Sequence, residues 1–201
     1  DATFEDGTLE LVAATFVTHV EEDLVFDHAT GRNLFSGPSL RYGAAARAAA
    51  HLGEALHASL AVTYTRAEKP EERGAQVPFV PPLVVQAELE GRWAVGRLAG
   101  RPLRAFGRTA LDVLGPRPLP FSETGEPVFL LEAGLGLEWS AFALSVEAFN
   151  LLGLDWRDSE FVYASDFQRG ATSSGVPARH FTAGRPLTAQ ATLTVRIEDL
   201  P

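Results

Sequence analysis

The sequence has 201 residues and a formal net charge of −9, with 26 acidic residues against 17 lysines and arginines. The basic residues form no cluster, so a nucleic-acid partner is not expected. There is no cysteine, which excludes disulfides, thiolate metal sites and cysteine nucleophiles. No run approaches about 18 apolar residues, so no transmembrane helix is predicted, and only the weak hydropathy of a β-barrel would be compatible with a membrane.

Apolar and polar residues alternate with a period of two through most of the chain, which is typical of strands with one apolar face. The first predicted strand, Thr8–Val20, changes phase near its middle, which indicates a β-bulge. The next, Leu40–Ala50, is alanine-rich and could instead be a helix, but its alternating arginines favour a strand. The remaining predicted strands are Leu56–Thr65, Leu83–Trp93, Leu103–Val113, Phe129–Trp139, Phe142–Ala148 and Leu187–Ile197. The count is therefore about eight.

The connections between these strands alternate between long and short. Short ones are predicted at Val95–Arg101 and near Ser140–Ala141. Long, polar, proline- and glycine-containing loops are predicted at Glu21–Pro38, Glu68–Pro82, Gly115–Pro127 and from Leu152 to about Gly184. In an up-and-down barrel, this alternation puts all the long loops at one rim and all the short turns at the other.

Strand length and aromatic placement favour a membrane barrel over a soluble β-sandwich, which would show the same alternation. Phe129–Trp139 is ten steps of about 3.4 Å, and a tilt of roughly 40° projects this to about 26 Å, close to the apolar band of a transmembrane barrel. Trp93 and Trp139 lie near short turns, while Tyr42, Tyr64 and Phe129 lie near long loops, as two interfacial girdles would. The predicted fold is an all-β antiparallel transmembrane β-barrel.

The polar phase of the predicted strands carries charged residues that could line a ligand path through the lumen of the barrel. These are Arg41, Arg47, Glu88, Arg92, Arg104, Arg108, Asp112, Glu132 and Glu147. The alternative interpretation is that they are cross-strand charge pairs in a solvated interior. The five histidines lack metal-ligand spacing, and the Gly170–Gly175 segment lacks the Gly-Lys-Ser/Thr of a phosphate loop. We expect no catalytic residues, no metal and no cofactor.

Three segments carry a resemblance to one family. The FNLLGLDWRD of Phe149–Asp158 resembles the "NLFD-x-x-Y" segment near the end of TonB-dependent outer-membrane receptors. The EDLVFDHATGRN of Glu22–Asn33 resembles their "DEIVFD-x-x-TGRN" segment, and the VPFVPP of Val77–Pro82 resembles their "VPYVPP". The order and spacing of these segments extend the resemblance over nearly the whole chain.

The resemblance implies a barrel of about 22 strands with an N-terminal plug, which imports siderophores, cobalamin or other scarce ligands with energy from TonB. Residues 1–201 would then be a single barrel region comprising the last eight or so strands, without the plug. The implied partners are outer-membrane lipid, an unidentified small-molecule ligand, and TonB through the missing N-terminal region. The implied location is the Gram-negative outer membrane. The start at DATFEDGT suggests a processed or excised piece.

Two alternatives remain open at this point. A self-contained eight-stranded outer-membrane protein could act in adhesion or membrane integrity, because eight strands can close around an interior filled by side chains. A soluble β-rich binding module would show the same alternation of apolar and polar residues. A soluble module would stay in solution without detergent, whereas both membrane proteins would need it.

Overall fold

The computed structural model describes residues 2–5, 8–27, 32–72, 74–164 and 176–197. These residues form thirteen strands and one short 3-10 turn, Pro120–Ser122. The strands are β1 Ala2–Glu5, β2 Leu9–Val20, β3 Leu24–Asp27, β4 Arg32–Phe35, β5 Ser39–Leu52, β6 Leu56–Glu68, β7 Leu83–Leu98, β8 Arg101–Leu114, β9 Val128–Trp139, β10 Phe142–Phe149, β11 Arg157–Ala164, β12 Pro177–Ala183 and β13 Thr188–Val195. No helix in the described ranges is long and apolar enough to cross a membrane.

Nine strands form one antiparallel sheet in the order β1-β2-β5-β6-β7-β8-β9-β10-β13. All eight predicted strands are present in it, and the all-β antiparallel prediction is confirmed. The alanine-rich segment is strand β5, because it pairs along its whole length with β2 on one side and β6 on the other and this pairing overrides its helix propensity. Strand β1 was not predicted, since four residues are too few to reveal an alternation.

The sheet has two edges, β1 and β13, each with one neighbour. Over the described ranges these edges do not pair with each other, so the nine strands do not close. This arrangement differs from the alternative of a self-contained eight-stranded barrel, in which the first and last strands would be hydrogen-bonded.

Partner residues across antiparallel strands share a face of the sheet, and the register therefore defines two faces. The apolar face carries large hydrophobic side chains that are exposed: Leu11, Val17, Leu60, Tyr64, Leu89, Trp93, Leu135, Leu137, Leu144, Val146 and Leu193. The polar face is formed by the other phase, which includes Glu88, Arg108 and Glu132. A sheet that is apolar on its exposed face departs from the usual soluble protein.

The predicted bulge in the first strand is wrong. The register between β2 and β5 runs without a shift from the Leu9–Ala50 pair to the Val20–Ser39 pair. The phase change in the sequence arises because Phe16 lies on the polar face, opposite Gly43. A Cβ added at Gly43 would lie 2.8 Å from Cζ of Phe16, so the ring occupies the space that glycine leaves.

A register shift does occur in β7, between Ala94 and Gly96. The sequence predicted a connection over Val95–Arg101, but β7 continues to Leu98 and the turn is confined to Ala99 and Gly100, both with positive φ. Positive φ at both central residues is the geometry of tight hairpin turns that match the twist of the strands. Trp93 consequently lies inside β7 and not at its end.

All the long connections lie at one end of the sheet and the short turns lie at the other, as predicted. Two of the predicted loops contain regular structure, however. The loop after β2 contains the β3–β4 hairpin, and the loop after β10 contains the β11–β12 hairpin. The glycine-rich Gly170–Gly175 segment lies outside the described residues.

Candidate functional site

All nine charged residues singled out in the sequence lie on the polar face. Their register partners link them across neighbouring strands in rows: Glu88 is opposite Ala110, which is opposite Glu132, and Arg104 is opposite Glu138. The face on which a side chain lies depends only on whether its position in the strand is odd or even, so the face could be predicted from the sequence. Their role as a ligand path stays a prediction.

The centre of the polar face is built around Arg108 on β8. Its Nε donates to Glu88 of β7 in a cross-strand ion pair, and it also interacts electrostatically with Glu132 and Glu147. The guanidinium therefore pairs directly with one carboxylate and has two further carboxylates near enough to interact with its charge. A cavity of about 290 Å³ opens beside this group, and its wall includes Arg108, Glu132, Glu147 and Gln190. Such a polar cavity suits a hydrated ligand with hydrogen-bond donors.

Three other predicted residues have specific partners. Nη1 of Arg47 lies 3.3 Å from Oε1 of Glu10 in a largely exposed pair. Asp112 accepts a hydrogen bond of 3.0 Å from Nε2 of Gln86. Arg41 pairs with Asp23, a loop residue. These contacts favour the charge-pair interpretation for Arg47 and Arg41, whereas the partner of Asp112 is a neutral amide.

Asp23 anchors the base of the β3–β4 hairpin to the sheet. Its backbone N–H donates to the carbonyl of Gly37 and its own carbonyl accepts from the N–H of Ser36. Its carboxylate accepts hydrogen bonds from Oγ of Ser39 at 2.7 Å and from Nη2 of Arg41 at 2.5 Å. Burial alone would raise the pKa of Asp23, but these bonds, the charge of Arg41 and the backbone N–H of Leu24 outweigh burial and lower it.

Because Asp23 anchors the β3–β4 hairpin, the stability of this hairpin should depend on pH. Since the pKa of Asp23 is lower in the folded state, its contribution is complete above the unfolded value of about 3.9 and is lost as the pH falls through the folded value. We expect lower protection factors for the β3–β4 amides in acid, that is, faster exchange relative to the intrinsic rate at the same pH. At neutral pH, the β3–β4 amides of the Asp23→Asn variant should exchange about tenfold faster or more than those of the wild type. The variant loses the carboxylate that pairs with Arg41 and accepts hydrogen bonds from Arg41 and Ser39. Equal exchange in Asp23→Asn and in the exposed control Glu22→Gln would refute the anchor.

A second charged cluster, which the sequence did not reveal, fixes the β11–β12 hairpin. The side chain of Glu160 is fully buried, and its Oε1 lies 2.9 Å from Nη1 of Arg157 and 3.6 Å from Nη1 of Arg179. Its Oε2 lies 3.7 Å from Nη2 of Arg117 and accepts from the backbone N–H of Glu126 at 2.8 Å. Glu160 therefore ties the hairpin to the loop between β8 and β9.

The asparagine of the family-like segment has a structural role. Asn150 is fully buried with a positive φ of 50°, and its side chain bonds both the N–H and the carbonyl of Leu154. The same side chain donates to the carbonyl of Arg185, as does Nε1 of Trp156. The segment thus joins the end of β10 to the start of β13, which explains why asparagine and tryptophan occur there.

The long-loop end also contains a recess between two loops. The N–H of Phe79 donates to the carbonyl of Pro118 at 2.8 Å, joining the loop after β6 to the loop after β8. The recess between them has a volume of about 580 Å³ and is lined by residues that include Lys69, Pro78 and Phe121. Its size is in the range of small-molecule sites.

Chemical groups for catalysis or metal binding are sparse. Within the described part of the chain, no three histidine or acidic side chains are arranged to hold a metal ion. The rings of His51 and His57 lie in tilted contact on the polar face, with their centroids 4.8 Å apart, and His180 stacks on Tyr163 at 4.1 Å. Charge, hydrogen bonding and shape are what the polar face can offer, which suits recognition of a ligand.

Solved structures that share this fold include two outer-membrane receptors. The ferric yersiniabactin uptake receptor FyuA from Yersinia pestis matches 96% of this chain and 28% of its own length, with a TM-score of 0.72 and 18% identity. The ferric-catecholate import receptor Fiu from E. coli K12, in a closed form, matches 94% of this chain and 25% of its own length, with a TM-score of 0.59 and 18% identity. The sequence matches no protein-family model and no curated protein.

Both neighbours are TonB-dependent receptors, so the fold is that of part of a receptor barrel of this class. This chain spans about a quarter of the length of each neighbour. The resemblance drawn from the three segments is confirmed at the level of the fold. At 18% identity the ligand and the activity of this chain do not follow from these likenesses.

Proposed function

We propose that this chain forms part of the barrel wall of an outer-membrane receptor that imports a scarce small-molecule ligand. The observation that carries the proposal is the apolar face, on which large side chains are exposed along strands of up to 16 residues. Water would disfavour such a face, whereas bilayer hydrocarbon would favour it. The likeness to two iron-uptake receptors supports the proposal.

The remaining parts of the receptor follow as part of the same proposal. Two unpaired strand edges cannot persist in hydrocarbon, so further strands would flank β1 and β13 to complete a barrel of about 22 strands. A plug would fill the lumen, and TonB would act through it. In this arrangement the polar face lines the lumen, and Arg47, Arg92, Arg104, Arg108 and Glu147 face the ligand path together with the other charged residues of that face.

Location can be tested in cells that express the full-length protein. Outer-membrane fractions should contain the protein in a form that migrates faster on a gel when unheated, as expected of a folded barrel. Recovery of the protein in the soluble fraction, without detergent, would contradict the membrane assignment and favour a soluble binding module.

We predict that the ligand-contacting rim lies at the long-loop end, where the loops after β2, β6, β8 and β10 converge. Shortening these loops should lower uptake of the cognate ferric siderophore by about tenfold or more, the change expected when about 1.4 kcal/mol of binding is lost. Uptake can be followed as growth of iron-starved cells, with ferric yersiniabactin and ferric catecholates as the first probes.

The control is an insertion of a few glycine and serine residues between Ala99 and Gly100, in a short turn at the opposite end. This insertion should leave uptake close to the unmodified level, because the turn lies far from the rim. If the variants reach the outer membrane and uptake is undiminished after all four loops are shortened, the long loops do not form the ligand-contacting rim.

A further inference from the structure

Three of the long loops are bonded to one another, and the loop after β8 lies between the other two. This middle loop, residues 115–127, folds back on itself, because the N–H of Gly125 donates to the carbonyl of Arg117 at 2.8 Å. Its neighbours are the loop after β6, residues 69–82, and the β11–β12 hairpin of the loop after β10. The bonds on its two sides differ in kind.

On one side, the middle loop is bonded to the loop after β6 through backbone groups. The N–H of Phe79 donates to the carbonyl of Pro118 at 2.8 Å. Phe79 follows Pro78 and has a positive φ of 68°, which is the pattern of a type II turn, where glycine is the usual residue at this position. A phenylalanine in this conformation is strained and persists only where the surrounding contacts fix it. The bond to Pro118 is one such contact.

On the other side, the middle loop is bonded to the β11–β12 hairpin through charged groups. The fully buried carboxylate of Glu160 pairs with Arg117 and accepts from the backbone N–H of Glu126. The side chain of Glu126 in turn pairs with Arg157 at 3.0 Å. An isolated two-stranded hairpin is only marginally stable in water, so the β11–β12 hairpin depends on these bonds.

The two sets of bonds meet at consecutive residues of the middle loop, Arg117 and Pro118. Prolines at positions 116, 118 and 120 each fix φ near −65°, which stiffens this part of the loop. A displacement of Arg117 away from Glu160 therefore also displaces the carbonyl that accepts from Phe79. The loop after β6 and the β11–β12 hairpin are thus connected, although they are separated by about 80 residues in the sequence.

We infer that the loop after β6, the loop after β8 and the β11–β12 hairpin form one cooperative unit, which opens and closes as a whole. We call it the three-loop unit. Local opening in contiguous cooperative units is a general property of proteins. The β3–β4 hairpin has a separate anchor, since Asp23 bonds the backbone of its own loop and the side chains of Ser39 and Arg41 on β5.

The unit has a use in the function proposed above. A ligand that contacts any one of the three loops would order the other two at the same time, so that the rim closes in a single step. This use rests on the proposed function, whereas the unit itself is a property of the contacts between the loops. Hydrogen exchange measures the unit directly, without ligand and without transport, so that a failure of one is distinguishable from a failure of the other.

The test is hydrogen exchange of the full-length protein in detergent, followed by mass spectrometry. E160Q removes the buried carboxylate that joins β11 to the middle loop. Because members of one unit share one opening equilibrium, exchange should accelerate by a common factor of about a hundredfold in residues 74–80, 116–126 and 157–164. Acceleration confined to the last two ranges would overturn the inference. Equal acceleration in β7 would also overturn it, since the whole sheet would then open.

The reverse direction is tested at Phe79. F79P removes the N–H that donates to Pro118 and cannot adopt a positive φ, so exchange in the distant β11–β12 hairpin should accelerate by about fivefold or more. F79G is the matched control, because glycine keeps the N–H and accepts a positive φ, and it should change exchange in the hairpin by less than about twofold. An unchanged hairpin in F79P, or equal changes in the two variants, would contradict coupling through this bond and overturn the inference.

A third variant tests whether the unit is separate from the remaining long loop. D23N should accelerate exchange in the β3–β4 hairpin and leave the three-loop unit unchanged, because the bonds of the Asp23 carboxylate end on β5. If D23N accelerated exchange in the three-loop unit as much as in the β3–β4 hairpin, all four loops would open together and the separate unit would be refuted.

Discussion

Leu135→Arg is expected to destabilise the protein in a bilayer by about 2–4 kcal/mol, the cost of placing a lipid-facing arginine near the midplane of a barrel. Leu135 lies on the apolar face of β9 and is 69% exposed. In hydrocarbon, the guanidinium has no water or carboxylate with which to interact. The measurement is the midpoint of urea unfolding in lipid vesicles, followed by tryptophan fluorescence.

The matched control is Thr192→Arg, an exposed position on the polar face of β13 in the register row next to Leu135. It should cost less than about 1 kcal/mol, because a solvated face accommodates charge. Gly136 is unsuitable as a control although it neighbours Leu135 in the chain, since the ring of Phe106 covers it and leaves no space for a side chain. Equal losses for Leu135→Arg and Thr192→Arg would contradict the lipid-facing assignment.

Replacing Glu160 by glutamine should release the β11–β12 hairpin. The change leaves the three guanidiniums of Arg117, Arg157 and Arg179, which are 14–30% exposed, without their shared carboxylate. Breaking a buried ion pair on one side costs about 3–5 kcal/mol, and an isolated two-stranded hairpin is only marginally stable in water. Cleavage of the hairpin by an added protease should accelerate by more than about a hundredfold.

Glu123→Gln is the corresponding control, because Glu123 also pairs with Arg179, at 2.7 Å, but is 50% exposed. Its loss should cost less than about 1 kcal/mol, with little change in proteolysis. Similar proteolysis of the two variants would show that burial of Glu160 is unimportant and that the hairpin is held elsewhere, for example by Arg157 stacked over Phe181 at 4.6 Å.

The strands and their faces were predictable because each main strand alternates between two distinct environments. Phe129–Trp139 is the clearest case, since every odd residue is apolar and the structure extends β9 only to Val128. Parity along such strands was enough to place all nine predicted charges on the polar face. It failed at Phe16, where an aromatic side chain lies on the polar face because Gly43 opposite leaves space for it.

The hairpins inside the long loops and the partners of the charged residues were not predictable from local pattern. Strands β3 and β4 have four residues each, too few for an alternation to emerge. The hairpins also depend on partners distant in sequence, such as Asp23 with Arg41 and Glu160 with Arg117. A sequence pattern indicates which face a side chain occupies, but it does not identify the partner on another element.

The order of strands in the sheet has a consequence for how the chain folds. Strands that are neighbours in the sheet also follow one another along the chain. The exceptions are the β3–β4 and β11–β12 hairpins, which lie within connections and do not join the nine-stranded sheet. Assembly can therefore proceed outward from a local nucleus such as the β7–β8 hairpin, and each added strand closes one modest loop. The β10–β13 pairing spans the longest connection, so we expect it to form last. A machine that releases the chain from its N-terminus would present each strand of this sheet after the neighbour that precedes it, so that every strand after β1 meets one partner that is already available.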